Sequence, residues 1–325
     1  MKRNLLLISL FPFAVTAADV GVSWSVSELN QPVQVGPSED NISAINNNVQ
    51  LNYSTQDWLF GVTFSKADTD DRWTEQSVDT DSDLNFESYE FYTNYYTGNW
   101  TFSAAVGQSD IAYRIIKVRH FGSQRENFVD RRDLQEYDNE DRFFEFSTRY
   151  YLDLSETVTD LSVDFEASAT RFNTQGQQRS ESRNIQVSND PRVDRFISDN
   201  NVQLGVQSAG GFEIDEAVWI YSAAINFDYA FNMMKKDWLA SVWYEAEFSN
   251  QSDGSFTVSR LRDNHRVIRR EFPLSEAGEQ SSLDNLNSYG IDLNLALSDS
   301  FSAHLSWLDS DVGQSQMQFG LSYWF

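Results

Sequence analysis

From residue 20 onward this chain repeats one pattern, stretches of about ten residues in which apolar and polar side chains alternate with period two. Between Ala217 and Asn232 the odd positions read Ala217, Trp219, Tyr221, Ala223, Ile225, Phe227, Tyr229 and Phe231. The even positions include Ser222, Asn226, Asp228 and Asn232. Successive side chains of a strand point to opposite faces, so such a segment is a ribbon with one greasy and one wet face. Segments of this kind fall at 20–28, 47–55, 57–67, 84–96, 99–114, 142–153, 158–172, 217–232, 237–249, 286–297, 301–309 and 314–325. The mature chain is therefore all-β, with about twelve strands and no internal domain boundary.

Two architectures accept such strands. A soluble sandwich buries the apolar face, whereas a membrane barrel turns it to lipid and keeps a polar lumen. Three features favour an antiparallel up-and-down transmembrane β-barrel. Short turns (Gln56-Asp57, Thr97 to Asn99, Ser155 to Thr157, Met233 to Lys236, Ser298 to Ser300) alternate with long polar stretches at 29–46, 68–83, 115–141, 174–216 and 250–285. Aromatics on the apolar face crowd the short turns, among them Tyr53, Trp58, Tyr95, Trp100, Tyr150, Phe231, Trp238, Phe301 and Tyr323, as an interfacial girdle does. The opposite face is too polar for a second core layer. Within 250–285, the segment from Phe256 to Phe272, centred on Asp263-Asn264, reads as a surface hairpin.

The N-terminus reads as an export signal. Lys2 and Arg3 precede the apolar stretch Leu5 to Val15, and Thr16-Ala17-Ala18 offers small residues for cleavage, so 1–18 is the signal and 19–325 the barrel. Removing it leaves 22 basic against 49 acidic side chains, which argues against nucleic acid as a partner. The chain has no Cys and three His, so no disulfide framework, thiolate site or zinc motif is available. No cofactor or metal motif appears. The acidic run from Asp68 to Asp83 has oxygen ligands that suit Ca²⁺. It lacks EF-hand spacing and reads as a solvated charge run.

The signal, the amphipathic strands and the ending Phe319-Gly-Leu-Ser-Tyr-Trp-Phe325 resemble those of bacterial outer-membrane β-barrel proteins. Within that class, twelve strands resemble small porins, phospholipase barrels and the translocator barrels of autotransporters. A first strand starting near Val20 leaves no room for a passenger, so the autotransporter reading is a solitary barrel. The resemblance implies the outer membrane of a Gram-negative cell, outer-membrane lipid and lipopolysaccharide as surroundings, and the barrel-assembly machinery as a partner. That machinery reads a terminal strand, here Phe319, Leu321, Tyr323 and Phe325.

For twelve strands the Cα diameter is roughly 24 Å, leaving on the order of 12 Å of lumen between side chains unless loops fold inward. Extending the alternation places Glu145, Asp160, Asp164, Glu166, Asp228, Asp237, Glu245, Glu247 and Asp292 inside, with Arg149 as the one mid-strand base, opposite Asp160 and Asp164. This is either a cation-preferring channel lining or a set of solvated groups held by one structural ion pair. Arginines lie instead in the long stretches, with Arg131, Arg132, Arg260, Arg262, Arg269 and Arg270 as candidates to meet lipopolysaccharide phosphate or an external partner. His304-Leu-Ser306 resembles the His-x-Ser pair of outer-membrane lipid hydrolases but faces the lumen rather than lipid. His120 and His265, with Asp130, Asp133 and Asp263 near them in sequence, resemble the His/Asp rim of surface proteases. The leading expectation is a passive channel for small solutes or cations, followed by a plugged barrel with binding loops, and an enzyme third.

Overall fold

The computed structural model describes residues 19–35, 38–75, 78–123, 126–154, 160–249, 253–262, 266–273, 286–310 and 315–325. The proposed signal lies outside the described residues. The strands are β1 (Asp19–Val35), β2 (Ser38–Ser54), β3 (Trp58–Glu75), β4 (Val78–Thr97), β5 (Trp100–Ser123), β6 (Glu126–Asp153), β7 (Leu161–Gln186), β8 (Gly205–Met233), β9 (Lys236–Ser249), β10 (Asp253–Arg262), β11 (Arg266–Pro273), β12 (Leu286–Ser298), β13 (Phe301–Ser310) and β14 (Ser315–Trp324). One helix, α1 (Pro191–Asp199), lies between β7 and β8.

Strands β1 to β9 pair antiparallel in chain order, β9 pairs with β12, β12 to β14 follow in order, and β14 returns to β1, which closes a ring of twelve strands. The remaining two, β10 and β11, form the expected surface hairpin, stacked on the upper part of β8 beyond its pairing with β9. The tip at Asp263-Asn264 lies outside the described residues.

The register fixes the barrel's geometry. Stepping sideways through cross-strand partners from Ser162 on β7, by way of Asp228, Asp292, Ser27, Ala67 and Ile111, leads back to β7 at Gly176. That is a shear of 14 residues, which for twelve strands corresponds to a tilt of about 40°. The closing seam is the shortest in the ring among the described residues, running only from Gly21–Trp324 to Ser27–Gln318.

Burial is inverted relative to a soluble protein. Phe91, Val106, Phe146 and Val242 are each more than half exposed on the outer face, whereas Ser65, Asn46 and Asp164 are buried inside. An exposed apolar band around a closed sheet is the surface a bilayer covers, since a barrel leaves no backbone edge unsatisfied in hydrocarbon. Aromatic pairs border the band at the short-turn end: Trp58 on Tyr95 (4.7 Å), Trp100 on Tyr150 (4.8 Å) and Phe231 on Trp238 (6.2 Å). Ten residues up β8 from Phe231, Tyr221 stacks on Trp219 and marks the other border, about 25 Å away along the barrel axis.

The twelve strands match the twelve periodic segments, but the long polar stretches are not loops. β5 to β8 run far beyond the band, so most of 115–141 and 174–186 is paired strand, as is most of 29–46 and 68–83. Above the bilayer both faces of a strand meet polar surroundings or each other. The apolar–polar alternation then fades while the backbone ladder continues. The expected turn at Ser155 to Thr157 lies outside the described residues, and the other four short turns are present. Met234 and Lys235 both adopt positive φ in a two-residue hairpin, and Gly98 does so at the β4–β5 turn.

Candidate functional site

The inner face carries carboxylates that climb from the short-turn end to the level of Tyr221. Asp164 lies three residues into β7 and Glu247 eleven into β9. Asp164, Glu245, Glu247 and Asp292 are buried, and Glu145, Glu166 and Asp228 are half-buried. Arg149 is the base among them. Its Nη2 lies 2.5 Å and its Nε 3.0 Å from Glu166 Oε2, and Nε lies 3.6 Å from Asp164. The cross-strand partner of Arg149 is Glu166, because β6 and β7 pair Arg149 with Glu166 and Tyr151 with Asp164.

Asp160 departs from its expected place. It sits exposed in the turn before β7, in the left-handed region at φ 63°, where its carbonyl accepts from Ala230 N–H. An Asp tolerates that conformation at a tight turn, and the position precedes the first wall residue. Asp237 likewise stays exposed at the mouth, accepting from Asn232 Nδ2 at 2.8 Å.

The other acids are wired to polar neighbours. Asn226 Nδ2 donates to Asp164 (3.3 Å) and Asp228 (3.0 Å), and Ser241 donates to Asp228 (2.5 Å). Ser306 and Trp243 hydrogen-bond Asp292, Thr170 bonds Glu145, and Ser222 bonds Glu245. These bonds hold carboxylates in place beside one base, so the inner face presents an excess of acid.

On β1 to β5 the interior has a different character. Leu29, Ile42, Ala44, Ala67, Leu84, Tyr113 and Ile115 form one buried cluster, with Phe86, Ile111 and Tyr137 packed on it. All have inward parity. Across the interior, β1 comes within 8 Å, Cα to Cα, of both β5 and β6. The expected tube of about 12 Å is thus absent at this level. Among the described residues, inward side chains fill it. Aromatic rings also roof inward glycines lower down. The Tyr92 ring lies over Gly61 while Tyr92 bonds Gln50 and Asn52, and the His304 ring lies over Gly320.

Other candidate residues fall as follows. His304 packs on Gly320 and Ser306 serves Asp292, so they do not form a lipid-facing pair. His120 is brought to Asp130 (Nδ1, 2.7 Å) and Asp79 (Nε2, 3.0 Å), not to Asp133. The two hydrogen bonds raise the imidazole above its ordinary value near 6.5, Asp130 most strongly, and His120 in turn lowers Asp79. His265 lies outside the described residues. Arg131 and Arg132 point opposite ways. Arg131 turns inward to Asp133 (3.2 Å), Arg132 outward. Arg260 and Arg262 lie on β10, Arg269 and Arg270 on β11. Phe319, Leu321 and Tyr323 pair with Val26, Trp24 and Val22 at the seam. Phe319, Tyr323 and the terminal Phe325 are exposed on the outer face.

Sequence reasoning missed Glu90, which faces inward from β4 opposite Thr63 and Gly107. The parity of its strand, with Tyr89 and Phe91 outward, was sufficient to find it. It also missed the apolar cluster, whose members come from six strands and share no local signal.

No protein-family model matches the sequence, and no curated protein is similar to it. Solved structures are similar in fold. The translocator domain of autotransporter NalP from Neisseria meningitidis superposes with TM-score 0.54 at 8% identity, covering 95% of this chain and 89% of that one. The toluene transporter TodX from Pseudomonas putida superposes with TM-score 0.52 at 9% identity, covering 95% and 90%. The chain therefore has the fold of Gram-negative outer-membrane β-barrels, a fold whose structural neighbours here are translocator domains and transporters.

Proposed function

We propose that this protein is a gated, cation-preferring conduit of the outer membrane, with the short turns in the periplasm and the long hairpins outside. The observation that carries the reading is the inner set of carboxylates, in which Glu145, Asp164, Glu166, Asp228, Glu245, Glu247 and Asp292 outnumber the single base Arg149. A low-dielectric wall lined by one sign of charge concentrates the opposite ion and repels its own. The apolar cluster on the external side is the gate, since an apolar constriction excludes water and ions until it widens. Phe319, Leu321, Tyr323 and Phe325 serve as the assembly signal, and residues 1–18 as the cleaved export signal, in this reading.

A plugged barrel that binds external partners is the second reading, favoured by the length of β5 to β8 beyond the bilayer. Planar-bilayer recording of the refolded protein under a KCl gradient separates the two. The wild type is expected to open rarely with a reversal potential favouring K⁺. Leu84→Ser, which makes the gate wettable, raises the open probability at least tenfold. Asp164→Asn with Asp292→Asn moves the reversal potential toward zero. Silence from a folded Leu84→Ser barrel would overturn the conduit and leave the surface module.

A further inference from the structure

The outer face of the sheet, well above the apolar band, holds an open cavity of about 650 Å³ between β3 and β7. Its residues come mainly from three adjacent cross-strand rows. One runs Arg72–Asp81–Ile116, the next Thr74–Asp79–Val118–Arg132, and the third ends Asp130–Ile185. Ile116, Val118 and Ile185 give it an apolar floor at a height where no lipid tail reaches. Apolar side chains exposed to water at a concave, polar-rimmed place are a common mark of a ligand site.

The rim carries three carboxylates, and only Arg132 among its charged groups lacks an ion pair. Asp81 is held by Arg72 at 3.3 Å, and Asp79 and Asp130 both hold His120. Arg132 carries no ion pair among the described residues, and its cross-strand partner on β7 is another arginine, Arg183. Arg183 is itself shared with Glu181 at 3.0 Å. Like charges directly opposite on a ladder are unfavourable by themselves. In a chain of net charge -25 a guanidinium without an ion pair, above an apolar floor, is the unusual feature. An anion there would relieve the repulsion and accept two N–H donors from Arg132.

We propose that this cavity binds an organic anion with a compact apolar body, the carboxylate, sulfonate or phosphate lying on Arg132 and the body on Ile116, Val118 and Ile185. The cavity volume falls within the range of small-molecule sites, roughly 300–1,000 Å³. The site is separate from the lumen and does not depend on whether the barrel conducts.

The probe is naphthalene-2-sulfonate, titrated onto the full barrel in lipid nanodiscs by calorimetry and saturation-transfer NMR. The wild type is expected to bind it at least tenfold more tightly than neutral 2-naphthalenemethanol or inorganic sulfate. Arg132→Gln weakens it tenfold or more, and Ile116→Ser weakens it severalfold. Arg114→Gln, outside the cavity, changes nothing. Arg132→Gln removes a like-charge pair and so keeps the fold, which heat-modifiable gel mobility verifies. Equal binding of the neutral analogue, or Arg132→Gln within twofold of wild type, overturns the proposal. So does failure of the wild type to bind the probe. Nanodiscs with and without lipopolysaccharide identify the natural source. Competition marks a surface glycolipid, and its lack a dissolved anion, both consistent with the site.

Discussion

Single side chains set the polarity of the interior. Arg149 neutralises Glu166 and Asp164 where the wall is largely screened from water. Removing one partner of such a group strands the others. Arg149→Leu is expected to cost about 3 kcal/mol, and Arg149→Leu with Glu166→Leu to recover most of it. Urea titration of the folded barrel in detergent checks both. His120 supplies a pH test outside the bilayer. Its pKa is raised in the folded state, so its contribution is fully present below about 6.5 and is lost as pH rises through the raised value. With only three His in the chain, NMR titration is expected to show one resonance above the ordinary value, shifting down in Asp130→Asn. An unshifted resonance would contradict the Asp79–His120–Asp130 bridge. Most of the inner acids were legible from parity alone. Asp160 was misplaced because a one-residue error at a strand start moves a turn residue onto the wall. Arg149's true partner required the β6–β7 register, which no single strand encodes.

At the level of elements, each barrel strand owes its place to its outward face, and the periodic pattern was sufficient to find all twelve. It did not reveal how far they extend, because pairing above the bilayer needs no alternation. Nor did it reveal α1, whose nine residues dock one small apolar face, Val193 with Phe196 and Ile197, on Phe128 and Val129 at the top of β6. Asp190 caps α1, accepting from the Arg192 N–H at 2.8 Å, and Arg192 holds its carboxylate at about 2. That pKa is depressed, so the cap is present above 3.8 and lost as pH falls through about 2. Asp190→Ala is expected to speed hydrogen exchange of the α1 amides while leaving β6 protected. Lower in the barrel, a Cβ on Gly61 would meet the Tyr92 ring at 2.0 Å. Gly61→Ala therefore displaces Tyr92 from Gln50 and Asn52, at a cost of about 2 kcal/mol.

On the scale of the whole molecule, the proposed orientation makes one direct prediction. The chain has no Cys, so Asn200→Cys at the end of α1 and Asp57→Cys in the β2–β3 turn can be labelled singly in whole cells. An impermeant maleimide is expected to reach the first at once and the second only after the outer membrane is opened. The reverse pattern would invert the barrel. The ring itself has a clasp. Among the described residues, strands of the ring that are neighbours in sequence share nine or more residue pairs, whereas β1 and β14 share the seven from Gly21 to Ser27. The hoop is thus fastened at its narrowest hold. A sideways parting of the wall would undo fewer paired residues there than between any other two neighbouring strands of the ring among the described residues.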